Sequence, residues 1–287
     1  MSGLSWLTLA ILATIFIGIK IALARGSSVL GYTSYSYQHS YNFLAILIGL
    51  LFFGSHIAIS IPMALLAILW ASAFALYEQV LIRSFKKYET NTFSPYVNLI
   101  SNIVIIFVGI FIFKDSINTA QLAIALLAVS FVFLYSKRTG GVFTSAHFLK
   151  IVFISILLSV IHKSLQKVGA QFDPLAYIHY QLVFTFIAGL VIHAVEHHRI
   201  EIQQKLVFTK KLLLYSLGTA AMQVGATVCI VSALVKGPLS LVYSVQSFYI
   251  FITAAISALF FKETLTKRKI FFLTTVAILV MILKLTQ

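Results

Sequence analysis

Three ionisable residues stand out because they lie where charge is expensive. Lys20, Glu78 and Lys163 each sit inside a long apolar stretch, and of the seven acids in the chain only Glu78 does so. A charge within hydrocarbon must be paired, kept wet in a cavity or carried to the interface, which makes each of the three a candidate for function. A lysine ammonium can attract a carboxylate or phosphate; a glutamate can pair with an amine or carry a proton. The competing reading for the lysines is snorkelling, since each lies about a turn from the end of its stretch and a four-carbon stem reaches the headgroups.

Polar residues at helical spacing give the second signal. Asn98, Ser101 and Asn102 follow i, i+3, i+4, and Ser240, Tyr243, Ser244 and Ser247 follow i, i+3, i+4, i+7 with Gln246 beside them. Tyr177, Tyr180, Gln181 and Thr185 share one face, and Gln223 stands alone among Ala221, Gly225 and Cys229. Such stripes must face the bundle interior or a wet cavity, because lipid cannot satisfy them. They serve either as a cavity wall or as hydrogen-bond glue between helices, and the small residues around Gln223 suit a packing seam. Tyr32, Tyr35, Tyr37 and Tyr41 read as an interfacial aromatic belt. Tyr37 and His39 rise above it because Tyr177 and His179 copy them 140 residues later.

The elements that position these groups follow from composition. The 287 residues are 60% hydrophobic and 10% charged, with a mean hydropathy of +1.01. A water-exposed globule needs more polar surface than that, so the expected class is an all-α polytopic membrane protein. Ten apolar spans cover residues 4–24, 37–54, 61–82, 93–113, 119–136, 148–165, 174–194, 211–235, 239–261 and 270–285. Each should be helical, since the bilayer offers the backbone no other partner. Spans five and ten are almost wholly apolar and suit the lipid-facing periphery. The single cysteine, Cys229, excludes an internal disulfide and a cysteine-built metal site. The +14 formal charge falls mostly at span margins, where it sets orientation, and does not point to nucleic acid.

An internal repeat orders the spans. Phe113-Lys114-Asp115-Ser116-Ile117-Asn118 matches Phe261-Lys262-Glu263-Thr264-Leu265-Thr266 in chemical type at an offset of 148, with Asn98 and Gln246 in the same register. Gly49 matches Gly189 at the offset of His39 and His179, and Lys20 matches Lys163 at 143. The chain thus reads as two five-helix repeats, residues 1–144 and 145–287. Five is odd, so the second repeat enters the membrane inverted, which predicts ten transmembrane helices in a 5+5 inverted repeat about an axis in the membrane plane. The hexapeptides read as tight helix–helix turns. Sixteen basic residues fall on one side of the spans and five on the other. That places the basic loops in the cytoplasm and both termini outside an inner or plasma membrane.

Ten helices in this arrangement, each half closing on Phe-Lys-acid-Ser/Thr-Leu/Ile-polar, resemble the drug/metabolite transporter superfamily, and within it the ten-helix metabolite exporters with two copies of one domain. The motif likeness is densest from Lys236 to Leu285, although Lys262 stands where the family turn carries glycine. The resemblance implies a transporter of small organic molecules. The expected mechanism is secondary transport by alternating access, with no cofactor, no metal and no Walker-type phosphate loop. The expected partners are a small anionic or zwitterionic solute of amino-acid type, membrane lipids and protons as a candidate coupling ion, in a monomer or homodimer. The site residues expected are Lys20, Tyr37, His39, Glu78, Asn98, Asn102, Lys163, Tyr177, His179, Gln181, Gln223, Tyr243 and Gln246. Lys20 and Glu78 are assigned to an inner gate or the binding site beside it, and Lys163 to the outer counterpart. A flippase for a lipid-linked or phospholipid substrate is the alternative. An intramembrane enzyme would need a converging nucleophile, acid pair or metal cluster, which the sequence does not offer.

Overall fold

A computed structural model describes residues 4–54, 60–87, 90–136, 146–197 and 209–261, with Lys267, Phe271, Thr274, Thr275, Ile278, Leu279 and Ile282. The described chain is helical throughout: α1 (Trp6–Val29), α2 (Ser34–Phe53), α3 (Ile61–Lys87), α4 (Thr90–Phe111), α5 (Thr119–Ser136), α6 (Ala146–Gly169), α7 (Pro174–His197), α8 (Lys210–Lys236), α9 (Leu239–Gln246) and α10 (Tyr249–Phe261). Among these residues six stretches are long and apolar enough to cross a bilayer: Trp6–Ser27, Ile61–Ser84, His147–Gly169, Pro174–Val195, Lys210–Lys236 and Leu239–Phe260. The expected tenth span and the second hexapeptide beyond Phe261 lie outside the described residues, apart from the seven just named.

Local chemistry sets the helix ends. Thr33 and Thr209 cap α2 and α8 by accepting from the backbone N–H of Ser36 and Leu212, at 3.1 Å each. Asp173 accepts from the N–H groups of Leu175 and Ala176, with Pro174 at the first helical position, where its missing N–H costs nothing. Asn118 and Gln121 form a reciprocal capping pair at the start of α5, each side chain accepting from the other's backbone N–H at 2.7 and 3.2 Å.

The first hexapeptide is a turn, as its sequence suggests, and it does more than turn. Lys114 takes a left-handed backbone, φ 53°, and the Asp115 N–H returns to the Gly109 carbonyl at 3.0 Å. A residue without a Cβ suits that conformation best. Asp115 then leaves its own neighbourhood and accepts from both the N–H and the hydroxyl of Ser240, at 3.0 and 2.9 Å. A carboxylate thereby sits on the positive end of α9.

Span nine is expected as one helix but is interrupted between Gln246 and Tyr249. The Ser247 hydroxyl donates to the Ser244 carbonyl, and Thr14 of α1 donates to the Val245 carbonyl at 3.2 Å. The Phe248 N–H also reaches Val245, three residues back, at 3.2 Å. Hydroxyls that compete for backbone carbonyls loosen the α-helical ladder at this point.

The packing inverts the pattern of a water-soluble protein. Large apolar side chains such as Leu51, Phe52, Ile61, Phe111, Leu259 and Phe260 are turned outward, whereas Gln38, Lys20, Glu78, Lys163 and Asn98 are buried. That is the distribution a bilayer requires. α5 lies at the margin against α4 and α9, in keeping with its apolar sequence. The helices pair in matched fashion: α1 packs on α8 as α6 packs on α3, and α2 packs on α8 as α7 packs on α3. Lengths match too, with 24 residues in both α1 and α6 and 27 in both α3 and α8. Across the α2–α7 contact, His39 lies over Gly189 and His179 over Gly49, so each repeated histidine faces the repeated glycine of the other half.

Candidate functional site

The buried charges meet at one place. Lys20, from the middle of α1, donates to Glu78 of α3 and to the amide oxygen of Gln223 of α8, the latter at 2.5 Å. Tyr41 of α2 donates to the other Glu78 oxygen. The Lys20 ammonium also lies 5.4 Å from the Tyr41 ring centre and 5.1 Å from that of Phe74. Both side chains of the ion pair are nearly enclosed, 11% and 7% exposed, so each depends on the other for charge compensation.

Lys163 of α6 is held differently. It donates to the Asn102 amide oxygen at 2.8 Å and the Ser101 hydroxyl at 3.2 Å, both on α4, and lies 5.2 Å from the Tyr243 ring centre. These acceptors are neutral. Lys163 is as buried as Glu78, 5% exposed each, yet among the described residues no carboxylate pairs with it.

Both lysines line one cavity of about 100 Å³. Eight of the thirteen residues expected from sequence form its wall: Lys20, Tyr37, Glu78, Asn98, Lys163, Gln223, Tyr243 and Gln246. Tyr37 shares a hydrogen bond with Thr219, Asn98 donates to Tyr249, and Tyr243 donates to Gln166 at 2.8 Å. Asn102 sits behind the wall and grips Lys163. The helix interruption brings Gln246 and Tyr249 to the same wall, which a continuous α9–α10 would present differently. The volume is small against the roughly 300–1,000 Å³ of ligand pockets, so admitting a solute requires helices to move apart.

Four expected residues lie elsewhere. His39 and His179 occupy the α2–α7 contact, His39 with its ring 5.3 Å from that of His193. Tyr177 packs flat on Gly169 and donates to the Leu165 carbonyl at 3.3 Å. Gln181 is fully buried, outside the cavity wall. α2 and α7 are packed together, and each of the two histidines is turned toward a glycine of the other helix. In the α9 stripe only Tyr243 and Gln246 reach the cavity; Ser244 and Ser247 donate to carbonyls of their own helix and Ser240 serves the Asp115 cap. Glue accounts for the serines and wall for the tyrosine and glutamine. In the seam around Gln223, Gly225 meets the ring of Phe16, as a packing role requires.

Several wall residues carry little sequence signal. Tyr41 shares the composition of an aromatic belt, although its i, i+4 spacing from Tyr37 puts both on one face. Trp70, Phe74 and Tyr77, on successive turns of α3, surround the ring of His162 at centroid distances of 6.4, 5.5 and 5.2 Å. The only sequence signal for His162 was its place next to Lys163.

A bundle of apolar helices around a buried, charge-bearing cavity defines a multi-pass membrane protein. Residues 148–285, just under half of the chain, match the model described as EamA, the EamA-like transporter family of the drug/metabolite transporter superfamily. That match implies a membrane transporter of small molecules. One solved crystal structure, among 28 chains that match in fold, superposes over 99% of this chain and 99% of its own with a TM-score of 0.79. Its sequence identity is 11%, so the likeness is one of fold. No curated protein matches the chain significantly.

Proposed function

We propose that this protein is a secondary transporter for a small organic anion or zwitterion of amino-acid type, working by alternating access between two inverted five-helix repeats, residues 1–144 and 145–287. The observation that carries the reading is the charge count of the cavity wall: two lysines and, among the described residues, one glutamate. Glu78 compensates Lys20, and Lys163 is left with neutral acceptors. A substrate carboxylate beside Lys163 supplies the missing charge, and Glu78 is the candidate carrier of a coupling proton.

The matched packing of α1–α8 with α6–α3, and the reciprocal His39–Gly189 and His179–Gly49 contacts, support the repeat. Two halves related in this way have two equivalent ways to lean on each other, one opening the cavity to each side. In this reading the protein spans an inner or plasma membrane with its basic loops in the cytoplasm and both termini outside. A flippase would need a lateral route for acyl chains. The apolar groove lined by Ile19, Leu23, Tyr215 and Phe260 is the candidate for one, but it shares no lining residue with the lysine cavity, which favours the solute carrier.

Uptake of labelled compounds into proteoliposomes tests the proposal. Wild-type protein should move an organic anion or zwitterion, and Lys20→Ala and Glu78→Gln should each lose most of that flux. Full transport by both variants, or movement of labelled phospholipid alone, would overturn it.

A further inference from the structure

Beside Lys163 on α6 stands a second buried side chain on the cavity wall, His162. His162 is 6% exposed, and its ring is enclosed by Trp70, Phe74 and Tyr77. Nδ1 lies 2.9 Å from the Leu158 carbonyl oxygen. A carbonyl can only accept, so Nδ1 carries the hydrogen, and the neutral ring must present a lone pair at Nε2. Nε2 makes no hydrogen bond among the described residues, and the ring lines the same cavity as Lys163. The aromatic enclosure carries two donors of its own, the Tyr77 hydroxyl and the Trp70 indole N–H, and among the described residues neither is hydrogen-bonded to Nε2. An acceptor on a cavity wall that no protein group satisfies is open to a donor from the bound molecule.

We propose that His162 is a substrate-binding, specificity-determining residue whose Nε2 accepts a hydrogen bond from an N–H or O–H that the substrate carries close to its anionic group. The inference rests on the anion reading and narrows it: Lys163 takes the negative group, and His162 reads a donor beside it. The favoured class is then a 2-amino or 2-hydroxy acid over the matching plain carboxylate. A site built to receive a donor rejects the analogue that lacks one far more sharply than an apolar wall rejects an extra methylene.

Two substitutions separate the atoms of the ring. In His162→Asn the amide nitrogen can replace Nδ1 as donor to Leu158 while nothing replaces Nε2. In His162→Gln the longer side chain places an amide oxygen near the former Nε2. The measurement is calorimetric titration of purified protein with matched probes: propionate against lactate and alanine, and 3-phenylpropionate against 3-phenyllactate and phenylalanine. In wild-type protein the donor-bearing member of at least one series should bind about tenfold tighter or more. His162→Asn should bring the members of that series together, and His162→Gln should restore part of the preference. An equal response of each pair in wild-type protein, or an unchanged preference in His162→Asn, would overturn the role of His162 while leaving the anion reading intact. Binding of none of these acids would remove the anion reading and this inference with it.

Discussion

Lys163 donates to Asn102 at 2.8 Å, across the contact between α6 and α4, and has no carboxylate partner among the described residues. Its repeat counterpart Lys20 is bound to Glu78. One cavity therefore holds a compensated lysine and an uncompensated one. Asn102→Leu should leave the bundle folded and weaken anion binding about tenfold, because the ammonium then loses its best acceptor and its fixed position. Affinity measured by titration, with the apparent unfolding temperature as a folding control, checks this.

The Lys20–Glu78 pair should show strong energetic coupling. Glu78→Leu alone strands a buried ammonium and should cost about 3–5 kcal/mol of stability. Lys20→Met combined with Glu78→Leu should recover most of that loss, since a well-packed apolar pair can replace a buried ion pair. Thermal unfolding of the two single variants and the double variant in detergent gives the coupling directly; additive losses would contradict it.

Gly169 accommodates the ring of Tyr177, which occupies the space a Cβ would need. Gly169→Ala should therefore destabilise by about 1–3 kcal/mol, and Gly54→Ala, whose added Cβ meets nothing within 4 Å, should change little. Comparing their apparent unfolding temperatures decides the matter.

At Lys114 the backbone is left-handed, φ 53°. Lys114→Gly should be neutral or stabilising, and Lys114→Val should cost about 1–2 kcal/mol, because a β-branched side chain is strained at positive φ.

Much of the architecture was legible because a bilayer restricts the choices. Apolar runs of spanning length must be helices, and the start of α7 and both ends of α5 fall where the sequence places them. Lys20, Glu78 and Lys163 were legible because charge in an apolar run is rare. Their meeting on one wall was not, since the reading put the lysines toward opposite faces of the membrane. The repeated Tyr177, His39 and His179 lie at helix–helix contacts outside the lysine cavity, and sequence symmetry alone does not separate packing from binding. Tyr249 and His162 were hidden for the opposite reason. An aromatic or imidazole ring within an apolar helix has no periodicity of its own, and only the packing of α3 against α6 shows where His162 points. At the interruption between Gln246 and Tyr249 the Val245 carbonyl accepts from Thr14, more than two hundred residues away, a contact no local pattern announces.

The central claim is that Lys163 receives the negative group of the substrate. The direct measurement is the affinity of purified wild-type and Lys163→Met protein for the organic anion that proteoliposome uptake identifies, with both proteins first shown to be folded by thermal unfolding. Binding should weaken in Lys163→Met by about tenfold to a hundredfold, the loss expected for a buried charge-assisted contact. Equal affinity in the two folded proteins would contradict the account.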